Sequence, residues 1–365
     1  MALTQTYVNP AIAGNSGTGS VGDPYGDLQY ALNTMTRDAV NGDQINIKAG
    51  TDELLAATIS LVAYGAPDNG SPLVFRGYTA VANDGGIGDI SGQGACTILV
   101  GNPSYTHFID MHLHNCGANR IVQIGNYSSI IHCEIDQHTG YNQAVAMGAY
   151  GVVAHCYCHD VVQVHSSGLV VSNYIVGADH DTWVRLNIGG SGTAVNNVVH
   201  CLLAGDTGIN NSTHQASVIG NSVYNAAAGT AEGIYANGLN TPVILNNIVE
   251  GWSGVGGSGI ETTTFDVALL AGNAFYNNTA HMSVARSLYS DNNDVLGASP
   301  FVSPATGDFR INGTQAGVTE DAFPAAFLGA ALTTNLADKG ASQAGAGAGG
   351  GGAVSISPVR GNVGG

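Results

Sequence analysis

The chain has 365 residues, of which 53 are glycine and only 10% are charged, with a net charge of −17. Glycine is at about twice its usual share and charge at under half, while 44% hydrophobic content excludes a disordered chain and fits one elongated domain with many tight turns. The negative surplus speaks against nucleic acid and anionic membrane surfaces as partners, and against a polyanionic polysaccharide as a tightly held substrate unless a local basic patch overrules it.

No such patch is visible in the sequence, because between Gly77 and Ala285 only Arg120 and Arg185 are basic. Met1 to Gln5 shows neither a basic nor an apolar leader region, and no run approaches the 18 or so apolar residues of a membrane span. The expectation is therefore folding in a cytoplasm without a signal peptide and without membrane insertion.

Residues 7–25 are polar and glycine-rich. Residues 27–40 then place Leu28, Ala31, Leu32, Met35 and Val40 mostly on one helical stripe. Asn41-Gly42-Asp43 stops that helix, with Gly42 as its C-cap, and residues 44–50 follow as the first strand. A stack of coils needs its open end covered, and this helix is suited to that. Residues 51–100 read as irregular coils, with a strand over 73–78.

From there a period governs the chain. Ala194-Val195-Asn196-Asn197-Val198-Val199 is repeated in kind at Val218 to Val223, Ile244 to Val249 and Leu270 to Phe275. The same register extends back through Asn173, Cys156, Cys133 and Met111. Steps of 17 to 26 residues over eight segments mark a solenoid, read here as an all-β, right-handed parallel β-helix with a short N-terminal capping helix. Like positions then stack at about 4.8 Å. Asn173, Asn197, Asn221, Asn247 and Asn273 are expected to form one buried amide ladder, since each buried amide needs partners on neighbouring rungs. Two residues further on, Leu113, Ile135, Cys158, Ile175, Val199, Val223, Val249 and Phe275 point the same way and supply the apolar core.

The opening "DLQYALNTMTRDAVNGDQINIKAGT" resembles the start of right-handed parallel β-helix proteins of the pectate-lyase-like superfamily. An amphipathic helix followed by a "GD-x-I-x-[IV]-x-x-G" strand is typical there, and the asparagine and aliphatic columns match that group too. The likeness runs over residues 27–340. The stretches around Ser299-Pro300-Phe301-Val302, Gly307-Asp308-Phe309-Arg310 and Asp338-Lys339-Gly340-Ala341-Ser342-Gln343 resemble its closing "NPLFVD…GDFRL" and "DIGAxQ" segments. The organisation expected is an N-terminal segment with cap and first strand over 1–50, β-helix over 51–290, closing coils over 291–343, and a glycine-rich tail and assembly arm over 344–365.

Chemistry is harder to place. Lyases of the group the chain resembles use calcium held by acidic side chains and an Arg or Lys base. The densest polar cluster here is Asp179, His180, Asp181, Trp183 and Arg185, in which two carboxylates, an imidazole and a guanidinium are candidates to cut a sugar and the indole to bind one. The reading preferred for this cluster is nonetheless a solvated loop between coils. Polygalacturonase-like strings (Asn-Thr-Asp, Asp-Asp, Gly-His-Gly, Arg-x-Lys) are missing. His132 and His155 share a column, with His112 and His114 one rung below; these are read as a polar ladder rather than a metal site, and His159-Asp160 and His165 as acid/base groups without a second partner. The six cysteines are read as reduced core residues, a soft-metal site at Cys156-Tyr157-Cys158 beside Cys133 being the alternative. No metal and no cofactor are assigned.

The expectation from these features is a non-enzymatic structural or adhesive protein of the virion surface: a phage capsid decoration or tail appendage, with a host glycan as a candidate ligand. The tail is expected to bind other virion proteins or a second copy of the chain in a homo-oligomer such as a trimer. The alternative is a carbohydrate-active enzyme on the same fold, a polysaccharide lyase or phage depolymerase, with an extracellular location.

Overall fold

In the computed structural model the described residues are 2–311, except 95–96, 100, 118–119, 139–142, 178–183, 212–214, 238–240, 263–267, 285–286 and 292. They form a parallel β-helix with three long faces. The first sheet has 12 strands, from Thr4–Val8 to Ser287–Asp291; the second has 11, from Glu53–Leu54 to Asp294–Val295; the third has 8, from Arg120–Ile124 to Ala280–Val284. Each strand pairs with its equivalents one coil before and after, in parallel.

The registers explain why the chain coils. In the second sheet Leu113, Ile135, Cys158 and Ile175 are successive partners, and Val199, Val223, Val249 and Phe275 continue the row. All eight are fully buried. Because side chains alternate along a strand, their neighbours point outward, and these outward rows are where a site can be built.

Between the first and second sheets the chain turns on a single residue. Asp110, His132, His155, Ser172, Asn196, Gly220, Asn246 and Gly272 all have φ between 53 and 65°. Only glycine and short polar or imidazole side chains enter this left-handed region readily, which is why the residue before each ladder position is Asn, Gly, Asp, His or Ser. At Gly272 a Cβ would also meet Asn246 Oδ1 at 2.2 Å.

The next residue is the ladder. Asn173 Nδ2 donates to Asn197 Oδ1 at 2.9 Å, Asn197 to Asn221, Asn221 to Asn247 and Asn247 to Asn273, each at 3.0 Å. Asn273 donates on to Asn293 Oδ1 at 2.9 Å, a sixth member. Each amide's other hydrogen goes to a carbonyl of the preceding coil, as Asn197 Nδ2 does to Val170. Upstream, the thiols of Cys156 and Cys133 take over this last role, donating to the carbonyls of Ile130 and Phe108 at 3.5 and 3.6 Å. Burial pushes the Cys133 and Cys158 thiols well up, and Cys116, Cys133, Cys156, Cys158 and Cys201 are all buried. Cys96 lies outside the described residues.

The N-terminal end differs from the sequence expectation in two respects. Thr4–Val8 is a strand, added in parallel to Asp43–Lys48, so the strand expected to be first is the second. The helix spans only Leu28–Thr34, with Asp27 as N-cap accepting from Tyr30 N, and Leu28, Ala31 and Leu32 buried. It stops early because Asp38 offers a competing set of bonds: its carboxylate accepts the N–H groups of Val40 and Asn41 at 2.9 Å each, a turn that aspartate favours over helix. Gly42 is left-handed, but it closes this turn through its N–H to Asp38 O and does not cap the helix.

At the other end Phe301–Ser303 and Asp308–Ile311 form an antiparallel pair. Phe301 and Phe309 lie on the outward face of the second sheet, over Val198, Ile248 and Ala274. That covers the later coils of this face. The outward positions of the earlier coils, from Asp89 to Asp136, are clear of this cluster.

Candidate functional site

Two outward-facing groups of side chains stand out. The first lies on the third sheet, at its turn into the first. There Asn102, Ser104, Arg120, Gln123, Asn126 and His165, with Gly125, Ala146, Met147, Gly148 and Ala149, line a cleft of about 500 Å3. Its polar walls are held in place: Gln123 Nε2 donates to Asn102 Oδ1 at 2.8 Å, Asn126 N to Ser104 Oγ at 3.2 Å, and Ala149 N to Asn126 Oδ1 at 2.8 Å. The floor needs glycine, since a Cβ at Gly148 would lie 2.5 Å from Asn126 Oδ1.

Beside the cleft runs a stack of rings. Tyr105, Tyr127 and Tyr150 directly follow the lining residues Ser104, Asn126 and Ala149. Their rings are near-parallel, with centroids 5.2 Å and then 4.9 Å apart. Tyr127 and Tyr150 are 47% and 53% exposed, so the stack has a free edge of aromatic surface. The 22- and 23-residue steps between these tyrosines are plain in the sequence, but a search for catalytic strings passes over them.

Of the two basic residues in the middle of the chain, only Arg120 reaches this cleft. Arg185 is fully buried, with Nη1 2.7 Å from Asp160 Oδ1 and Nη2 2.6 Å from Asp206 Oδ1. Its guanidinium packs against Gly177, where a Cβ would meet Nε at 2.7 Å. This is an internal ion triad that joins three successive coils where the chain passes from the second sheet to the third, and it gives no access to a substrate. Asp179, His180, Asp181 and Trp183 lie outside the described residues.

The second group occupies the open early coils of the second sheet. Asp89, His112 and Glu134 are successive register partners, and so are Ser91, His114 and Asp136. His112 bridges two carboxylates, Nδ1 to Asp89 Oδ1 at 3.0 Å and Nε2 to Asp136 Oδ1 at 3.1 Å. Burial alone disfavours its charge, but the hydrogen bonds to Asp136 and Asp89 and the nearby carboxylates outweigh this and raise it to about 10. The His114 ring stacks on His112 at 4.2 Å, and burial followed by the His112 charge lowers its pKa. Burial also raises Glu134, with Asp136 and Asp89 adding to the rise and His112 opposing it.

The histidines expected to form one ladder thus divide. His132 and His155 sit at exposed corners with tilted rings 5.3 Å apart, whereas His112 and His114 form the core of the acidic group. His165 belongs to the cleft. The residues that sequence reasoning passed over (Asp89, Glu134, Asp136, Gln123, Asn126) are scattered along the chain and meet only through the coil register.

No protein-family model matches the chain, and no curated protein matches it. Among solved structures it is similar to a mannuronic-acid-specific family 6 polysaccharide lyase from human gut microbiota. The TM-score is 0.42 and the identity 12%, over 84% of this chain and 90% of that one. It is also similar to a PL6 family polysaccharide lyase from Pseudopedobacter saltans, with TM-score 0.37 and 12% identity over 78% and 95% of the two chains. At this identity the likeness concerns the β-helix architecture alone. Both neighbours are polysaccharide lyases by name, so the expected non-enzymatic virion decoration or appendage protein finds no counterpart here and is not carried further. Strings contiguous in sequence are a poor guide to chemistry on this architecture, because a β-helix assembles side chains from successive coils.

Proposed function

We propose that the chain is a carbohydrate-active enzyme, a polysaccharide lyase acting on a uronic-acid polymer bound along the Arg120–His165 cleft. The observation that carries this reading is that a guanidinium and an imidazole line the same cleft on a protein of net charge −17. An anionic sugar chain needs a local cation to approach such a surface, and Arg120 is placed to meet its carboxylate. Stacked tyrosine edges and fixed amides beside the cleft suit sugar rings and hydroxyls.

The chemistry follows from these groups. His165 takes the proton on the carbon next to the uronate carboxylate. The charge that develops spreads onto that carboxylate, where Arg120 stabilises it. The electron pair then forms the C4–C5 double bond and expels the glycosidic oxygen, which takes a proton from solvent. Hydrolysis would instead need two carboxyl groups flanking the bond, and none of the described residues lining the cleft is Asp or Glu.

The test is incubation of the purified chain with polymannuronate, polyguluronate, pectate and a neutral glucan. Ultraviolet absorbance of an unsaturated uronate is expected together with new reducing ends from at least one uronate polymer. His165→Ala is expected to lower the rate by about 100-fold or more, the contribution typical of a general base, and Arg120→Ala to lower it comparably. Reducing ends without the absorbance, no turnover of any uronate polymer, or turnover indifferent to both substitutions overturns the proposal.

A further inference from the structure

The acidic group on the second sheet plays no part in the cleft chemistry, and one of its atoms lacks a partner. His114 is 9% exposed, and its Nε2 is buried without a hydrogen bond. The Asp52 carboxylate oxygen Oδ1 lies 3.7 Å away, too far for a hydrogen bond. A buried imidazole nitrogen without a partner is costly, and here it faces a surface with a surplus of carboxylates.

We propose that Asp89, His112 and His114 hold one first-row divalent metal ion, with Zn2+ as the fitting occupant. One donor atom from each of the three lies within 4.8 Å of the others. Four-coordinate zinc, with bonds of about 2.0–2.1 Å, sets donors about 3.3 Å apart; Asp89 Oδ1 and His112 Nδ1 already stand 3.0 Å apart, so the adjustment of an ångström or so falls on His114. The two imidazole planes are within 8° of parallel, so the His114 ring turns about its Cβ–Cγ bond to aim a lone pair at the common point while the His112 ring keeps its place. Asp52, already 3.7 Å from His114 and 46% exposed at its side chain, is within reach as a fourth ligand.

The surroundings are those of a metal site. With His112 Nδ1 on the metal, its Nε2–H remains on Asp136 Oδ1, 3.1 Å away. This is the carboxylate–histidine–metal arrangement that fixes the tautomer of a ligating imidazole. Binding replaces the proton on Nδ1, which is released to solvent. Two imidazoles and one or two carboxylates suit zinc or its first-row neighbours, whereas calcium takes six to eight oxygens. The strands that carry Asp89 and His112 belong to adjacent coils, so the ion would cross-link them.

This assignment is independent of the lyase reading, and its test needs no turnover. The untagged full chain, freed of metal by chelation and dialysis, is titrated with Zn2+ against a chromophoric chelator, and separately with Co2+ while its visible spectrum is recorded. One equivalent of Zn2+ is expected to bind, and Co2+ to show the visible bands of a low-coordinate nitrogen–oxygen site. His114→Gln and Asp89→Asn are each expected to weaken Zn2+ binding at least tenfold, while His155→Gln, at an exposed corner away from the group, leaves it unchanged. Should His114→Gln fail to fold by circular dichroism, Asp89→Asn at its partly exposed position decides the matter. Absence of saturable Zn2+ uptake, binding unaffected by Asp89→Asn, or selective uptake of Ca2+ over Zn2+ overturns the assignment.

Discussion

Replacing Asn221 by alanine probes the amide ladder at a point where the losses can be followed atom by atom. Asn221 Oδ1 accepts two bonds, from Asn197 Nδ2 at 3.0 Å and Asn197 N at 2.9 Å. Its own Nδ2 donates to Asn247 Oδ1 at 3.0 Å and to Ala194 O at 3.1 Å. After substitution, two buried N–H groups of Asn197 lose their acceptor, while Asn247 Oδ1 keeps the N–H of residue 221. At about 1–3 kcal/mol per stranded buried donor, the expected loss is about 2–6 kcal/mol. Asn173 supplies the control, since among the described residues its Oδ1 accepts only the N–H of Cys156. One donor is stranded there rather than two, so Asn173→Ala should cost about 1–3 kcal/mol less than Asn221→Ala. Urea unfolding followed by circular dichroism measures both, provided the slopes match that of the wild type. Equal midpoints for the two variants, or an Asn221→Ala loss under about 1 kcal/mol, would refute the reasoning, because the column would then not be held by its amides.

Two further outcomes are expected. Arg185→Ala removes the cation that faces the buried Asp160 and Asp206 carboxylates, which should cost about 3–5 kcal/mol and show as a lower melting temperature; an unaltered melting curve would contradict the ion triad. Burial raises Glu250 from its usual 4.5 to about 7, against the opposing hydrogen bond from Ser299, and burial likewise raises Glu53 to about 7 against the bond from Leu28 N. A raised carboxyl favours the folded state most when protonated, so this part of the stability is complete below about pH 4.5 and is lost as pH rises through about 7. The stability difference between wild type and Glu250→Gln or Glu53→Gln should drift across that window and be level above it, and a flat difference in pH-resolved thermal melts would count against burial as the cause.

Much of the fold could be read from residue spacing, because a solenoid repeats its physical requirements once per coil. Asn197, Asn221 and Asn247 recur since each amide needs the next, and Val199, Val223 and Val249 recur since each coil buries the same inward position. The helix length was not legible. Met35 and Val40 fit an apolar stripe, but Asp38 forms its turn through bonds to Val40, Asn41 and Thr4, and Thr4 arrives only because Thr4–Val8 pairs on Asp43–Lys48. The candidate site was legible only in its parts. Arg120 and Arg185 look alike as isolated basic residues, and nothing local marks one as a buried ion-pair member and the other as part of a cleft wall.

The division has a physical basis. The sequence by itself determined what is periodic: the coil register, the inward columns and the left-handed corners, all set by backbone sterics and by burial repeated at nearly constant spacing. Only the tertiary structure decided which outward side chains meet. Asp89, His112 and Asp136 are 23 and 24 residues apart, and the closing hairpin covers one half of their face while leaving the other half clear. An outward position carries no packing requirement of its own, so its residue can vary from coil to coil, and its chemistry depends on what the neighbouring coils place beside it.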